Sequence, residues 1–197
     1  MSTVIDTLIY DRTQADVDRV KALRQKILKQ GLAALTAAEK AEYMAGMKGA
    51  YNYTDMNRVG TVVNYLANLL KTTPSELNQY RAEKGVSDGD SLHVPYDPNE
   101  VSITAKVDWT VESIPTQAEV QAYLSNLSEL YGLLPLPDDA PFAPVTLDYL
   151  TFETANNIEK LLRMVYDAAI REFTRIRTEI DDTAKSFRYT GITYAGM

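Results

Sequence analysis

The chain has 197 residues, 45% of them hydrophobic, enough to bury a core as one domain or two small ones. Its 20 Lys and Arg against 27 Asp and Glu give a net charge of −7, which excludes a basic footprint for nucleic acid or an anionic membrane surface. With no cysteine there is no disulfide, thiolate nucleophile or Cys-ligated metal, and no apolar run approaches the ~20 residues of a bilayer span. The first ten residues lack the basic start and apolar centre of a signal peptide, so a soluble chain made in the cytoplasm, with no membrane insertion, is expected.

Residues 3–10 alternate weakly and predict a short strand or an extended arm. Thr13-Gln14-Ala15-Asp16 has the form of a capping box and opens a helix to about Gln30, with Val17, Val20, Leu23, Ile27 and Leu28 as its buried stripe and Gly31 as its stop. Thr36-Ala37-Ala38-Glu39 caps a short second helix reaching Tyr43 and Met44. A third, capped by Asn52 or Thr54, should run to about Leu70, where Thr72, Thr73 and Pro74 end it. After a turn or two of helix at 74–80, residues 85–99 are dense in Gly, Pro, Asp, Asn and Ser and read as a loop.

Val101, Ile103, Ala105 and Val107 alternate with Ser102, Thr104, Lys106 and Asp108, which predicts a half-buried strand leading to Trp109. Thr116-Gln117-Ala118-Glu119 is a third capping box. Four prolines between residues 135 and 144 forbid a helix and predict an extended, partly polyproline II connection. From Thr151 a helical pattern then persists to about Phe187, and the aromatic, glycine-bearing ending 188–197 has strand propensity.

Two of these helices recur. Thr13-Gln14-Ala15-Asp16-Val17 returns as Thr116-Gln117-Ala118-Glu119-Val120, and the entrance of the Asn57 helix returns around Asn156, at offsets of 103 and 99 residues. The expectation is a mainly α fold: a duplicated helical hairpin or bundle, one copy in about 11–70 and the other in about 114–173, with a long C-terminal helix and a small β element near 101–109. The corresponding division is 1–73, 74–112, 113–187 and 188–197.

The repeated asparagines Asn57 and Asn156 sit one turn into a helix, where Asn has no propensity advantage. Each either binds a partner or a sugar hydroxyl, or pairs its amide with the carbonyl and amide of a neighbouring loop; duplication favours the brace. His93, the only histidine, has no accompanying nucleophile motif, and Asp88, Asp90 and Asp97 around Gly89 do not complete an EF-hand, so neither a catalytic nor a metal site is assigned and no cofactor is expected. Past Ile170 the apolar spacing Phe173, Ile176, Ile180, Phe187 suits either a subunit contact or packing within the monomer. Of thirteen tyrosines, Tyr96, Tyr189 and Tyr194 fall in loop or tail and are the candidates for contact with another chain or a glycan.

Several stretches together resemble segments of virion proteins from tailed phages and prophages of Gram-positive bacteria: Asp11-Arg12-Thr13, Lys48 through Val59, Lys106-Val107-Asp108-Trp109-Thr110, Ile114-Pro115-Thr116, Tyr123-Leu124-Ser125-Asn126 and Ala155-Asn156-Asn157-Ile158-Glu159. The resemblance covers most of the chain and implies a tail-associated or baseplate-associated structural component. Members commonly finish on a repeated Tyr-Ser-Gly-Glu; here Tyr189-Thr190-Gly191-Ile192 and Tyr194-Ala195-Gly196-Met197 keep Tyr and Gly and lose the acid. It implies no enzymatic activity, a location in the virion, and partners that are other virion proteins and further copies of this chain. A host-surface glycan-binding module, and a neck or head-associated structural protein, are the alternatives. A hydrolase acting on the host wall is a weaker third, because no carboxylate pair or metal set is recognisable.

Overall fold

The computed structural model describes residues 4–87 and 93–193, with side chains as far as residue 186. Five α-helices carry the fold: α1 (Gln14–Gln30), α2 (Ala37–Met44), α3 (Tyr53–Glu83), α4 (Gln117–Leu133) and α5 (Phe152–Thr193). All five begin on a side-chain cap; at α5 the Thr151 hydroxyl accepts the Thr154 amide at 3.2 Å, and the other four are capping boxes. Thr13, Thr36, Asn52 and Thr116 each accept an orphan amide of the first turn, while Asp16, Glu39, Asp55 and Glu119 accept the cap's own backbone amide. Gly31, at φ 81°, takes the left-handed conformation that ends α1.

The axis of the fold is the pair α3 and α5. Arg58 meets Glu159, the Tyr65 ring lies 6.3 Å from that of Tyr166, and the Tyr80 hydroxyl donates to Asp181 at 2.6 Å. Each pair is separated by the same 101 positions, so the two helices run parallel in constant register. Between them Val59, Val62, Val63, Leu66 and Leu70 pack with Ile158, Leu161, Leu162, Val165 and Ala169, and α4 closes the third side with Leu124, Leu127 and Leu130. The arm preceding α1 adds Ile5 and Leu8 to this core.

α1 lies outside it, forming a satellite cluster of Leu23, Leu35 and Met47 with Val20 and Ile27 against it. Leu28, expected in the buried stripe, is 75% exposed, because only the Leu23 side of α1 faces a neighbour. The arm itself is not a strand: it opens with a 3-10 turn at Val4–Thr7.

Helix α3 does not stop at Leu70. It runs through Pro74 to Glu83, so the boundary expected at residue 73 falls inside a helix. A proline removes the amide that would have satisfied the carbonyl four residues back, that of Leu70. That carbonyl accepts instead from the Tyr96 hydroxyl at 2.8 Å. Pro74 is itself buried, so the loop folding back after α3 both repairs the ladder and covers the break. Replacing Tyr96 with Phe is expected to cost about 1 kcal/mol in chemical unfolding, and clearly less when Pro74 is also Ala, whose amide can serve Leu70. Equal costs in the two backgrounds would refute this coupling.

No β-strand occurs among the described residues. The 101–109 segment alternates as predicted only from Val101 to Ala105, since Val107 is 45% exposed before Trp109 is buried, and its backbone pairs with side chains rather than with another strand. α5 likewise continues helical to Thr193, past the end expected at Phe187, which corrects the extended tail for residues 188–193. A single glycine, Gly191, costs about 1 kcal/mol and does not stop a helix already propagating.

Candidate functional site

Where α3, α5 and the N-terminal arm meet, four charges are gathered. Arg12, Asp55 and Glu159 are buried, at 3%, 4% and 0% exposure, and Arg58 stands at their edge. Arg12 reaches this position from the residue before the α1 cap, while Asp55, as third residue of the α3 capping box, is fixed by its bond from the Asn52 amide at 2.9 Å. Arg12 Nη2 donates to Asp55 Oδ1 at 2.7 Å and Glu159 Oε1 at 2.6 Å; its Nε donates to the Lys48 carbonyl at 3.1 Å and its Nη1 to that of Ile9. Arg58 donates to both Glu159 oxygens, at 2.9 and 2.7 Å, and to Asp55.

The formal charges of the cluster balance, and both of its carboxylates are fully bonded. Glu159 Oε2 also accepts the Ile9 amide at 2.6 Å, so all four carboxylate oxygens have donors from the chain itself. Burial works against the charge on Arg58, but the hydrogen bonds and fields of Glu159 and Asp55 outweigh it and raise its pKa. Tyr51 extends the network: its ring lies beneath Arg12 at 5.7 Å and its hydroxyl is 2.5 Å from that of Tyr123. Burial pushes both phenols up. Such a constellation can fix geometry strongly, because removing any member strands a charge away from water.

On either side of the cluster stand the two repeated asparagines. Asn57 Nδ2 donates to the Trp109 carbonyl and its Oδ1 accepts the Trp109 amide, both at 2.8 Å. Asn156 does the same to Arg12, at 2.9 and 3.0 Å. Each amide therefore imitates one residue of a neighbouring strand. Asn64, two turns after Asn57, repeats the clamp on Ala105 at 2.9 and 2.7 Å, and Asn126 donates to the Thr104 carbonyl. These three asparagines take the part of the missing partner strand. The clamps cross over: Asn57 on α3 holds the segment leading to α4, and Asn156 on α5 holds the segment leading to α1.

No family model, curated protein or solved structure matches the chain. Its own geometry is therefore what bears on function. The residues expected at a subunit contact divide: Phe173, Ile176 and Ile180 are buried in the chain's own core, where α3 continuing past Pro74 covers them, while Tyr194 lies outside the described residues and the side chains of Phe187 and Tyr189 do too. Tyr96 braces Leu70, as described above, and burial raises its pKa. It also lines a cleft of about 260 Å³ with His93, Asp97 and Asn78. Asp88 and Asp90 fall outside the described residues, among which no group of His, Asp and Glu is placed to hold a metal ion. No described helix is long and apolar enough to cross a membrane.

The Arg12–Asp55–Arg58–Glu159 cluster was not assigned from sequence. Its signal is a charge on an apolar stripe: Asp55 continues the row Val59, Val62, Val63, Leu66, and Glu159 sits between Ile158 and Leu162.

Half-buried carboxylates in the caps carry a pH dependence. Glu39 is held down to about 2 by a hydrogen bond from Lys26 and by the Thr36 amide, and Glu119 to about 2 by Lys106 and then the Thr116 amide and hydroxyl. A depressed carboxylate stabilises the fold above its ordinary value of 4.5, and that contribution disappears as pH falls through about 2. The melting temperature is expected to drop between pH 4.5 and 2, less steeply in Glu119→Gln; parallel curves for the two proteins would contradict the assignment.

Proposed function

We propose that this chain is a structural protein of a tailed-phage virion, a tail or baseplate component that acts by assembling with other virion subunits and with itself. The observation that carries this reading is where the phage-like segments fall. Asp11 to Thr13, Lys48 to Val59, Lys106 to Thr110 and Ala155 to Glu159 converge on the charge cluster and its asparagine clamps. What the resemblance holds in common is thus a device that fixes two long parallel helices in register. Rigid presentation of helices at set spacing is what a repeating assembly requires of its subunit.

The test is location. Purified particles from a host making a tagged copy should carry the tag at a defined place in the tail or baseplate when imaged, and particles lacking the chain should stall at the same place in assembly. Normal, complete and infectious particles without the chain would overturn the reading.

A glycan-binding module on the virion is the second reading, and it has a specific location. The cleft of Tyr96, His93, Asp97 and Asn78 joins an aromatic face to polar groups, the chemistry that sugars use. Asn78→Ala leaves the Tyr96 brace in place; loss of binding to host cell walls with unaltered assembly would favour this second reading.

A further inference from the structure

An apolar groove of about 430 Å³ opens at the N-terminal end of α3, between that helix, the satellite unit of α1 and α2, and the turn at 110–113. Val20, Tyr43, Met44, Tyr53, Thr110 and Val111 shape it, and no charged side chain lines it, in a chain where 24% of residues are charged. Met44 is 68% exposed and Val111 80%, and Ile114 beside them is also open to solvent. Single exposed apolar residues are ordinary, but an uncharged hollow with several on its walls marks an interaction surface.

A segment of matching chemistry lies at the far end of α5. Residues 187–197 carry five aromatic or large apolar side chains, Phe187, Tyr189, Ile192, Tyr194 and Met197, and a single charged one, Arg188. They cannot fill the groove of their own molecule. Because α3 and α5 run parallel in a register of 101, the groove lies level with the start of α5. Thr193 is about 40 residues further along that helix, about 60 Å away. Residues 194–197 span at most about 14 Å. α3 ends at Glu83, level with residue 184, so α5 also overhangs it by about nine residues, about 14 Å, at the far end.

We propose that this uncharged groove receives residues 187–197 of a second copy of the chain, in a head-to-tail contact along the direction of α3 and α5. The proposal rests on the assembly reading and specifies one of its interfaces. Groove and segment are at opposite ends of each molecule, so the contact is heterologous: the series keeps one free groove at one terminus and one free end at the other until it closes as a ring or is capped by another protein.

The absence of native cysteine gives a direct test on the full-length chain. Met44→Cys and Tyr189→Cys together should oxidise into a ladder of intermolecular disulfides, whereas either change alone gives little beyond a slow dimer. Ladder formation no greater than that of the single variants would overturn the proposal. In sedimentation, the wild type should self-associate, while Met44→Glu with Val111→Glu, and separately Tyr189→Asp with Ile192→Asp, should each be monomeric with an unchanged melting temperature. Mixed one to one, the two variants should form a dimer and stop there. A wild type that stays monomeric at its highest soluble concentration, or a mixture that fails to pair, would refute the contact. Incorporation of the wild type into particles is a separate measurement, so the assembly reading can survive that outcome.

Discussion

Glu159→Ala is expected to lower the free energy of unfolding by about 3–5 kcal/mol, the largest effect of any single substitution considered. The change leaves Arg12 buried with Asp55 as its one remaining carboxylate, takes two bonds from Arg58, and abandons the Ile9 amide. A domain of this size has a total stability of about 5–15 kcal/mol, so the variant should be marginal at ordinary temperature. Urea unfolding gives the number directly. Glu159→Gln keeps the shape and loses the charge, and should fall between wild type and alanine. A midpoint within about 1 kcal/mol of wild type for the alanine variant would show that the cluster does not hold the arm. Replacing all four charged residues by apolar ones of similar volume should do less harm than removing Glu159 alone, since no charge is then stranded.

Gly60→Ala should also destabilise, against what helix propensity dictates. Within a helix the change is ordinarily worth about 1 kcal/mol in favour of Ala. Here the new Cβ would stand 2.4 Å from the Lys106 carbonyl oxygen and 3.1 Å from Val107 Cγ1. The obstacle is backbone, held on both sides by Asn57 at Trp109 and Asn64 at Ala105. It cannot yield without breaking those clamps, so overpacking of about 1–3 kcal/mol plus the lost hydrogen bonds exceeds the propensity gain. We expect a net loss of about 2 kcal/mol, with faster hydrogen exchange at the Ala105 and Trp109 amides. A stabilised Gly60→Ala would mean that the 101–109 segment moves freely.

What could be read from the sequence was local. The boxes at Thr13, Thr36 and Thr116 each declare themselves within four residues, because donor and acceptor both lie in one turn. The features that escaped depend on partners far along the chain. Glu159 completes a cluster with residues 101 and 147 positions away, and neither distance leaves a mark in a window of helical periodicity. Pro74 has the appearance of a stop, since Tyr96, which satisfies the carbonyl it orphans, comes only after the intervening loop.

The strand expected at 101–109 is instructive in another way. Its alternation records burial at Val101 and Ile103 but not at Val107, which is exposed. Alternation says nothing of what the backbone pairs with, and here asparagines on α3 and α4 replace a neighbouring strand. The same limit applies to Phe173, Ile176 and Ile180: their spacing suits a subunit contact or packing within the monomer, and the partner is the helix beyond Pro74, which is continuous with α3 rather than a separate turn or two.

The crossing of the asparagine clamps bears on how the molecule comes together in time. Each half secures the lead-in of the other, so a ribosome that has released only the first hundred residues has made a piece whose arm has no Asn156 to hold it and no Glu159 to neutralise Arg12. The two halves are joint owners of a single fold. Heating should therefore melt them together, in one transition, and two fragments cut between residues 112 and 113 should gain structure only when mixed.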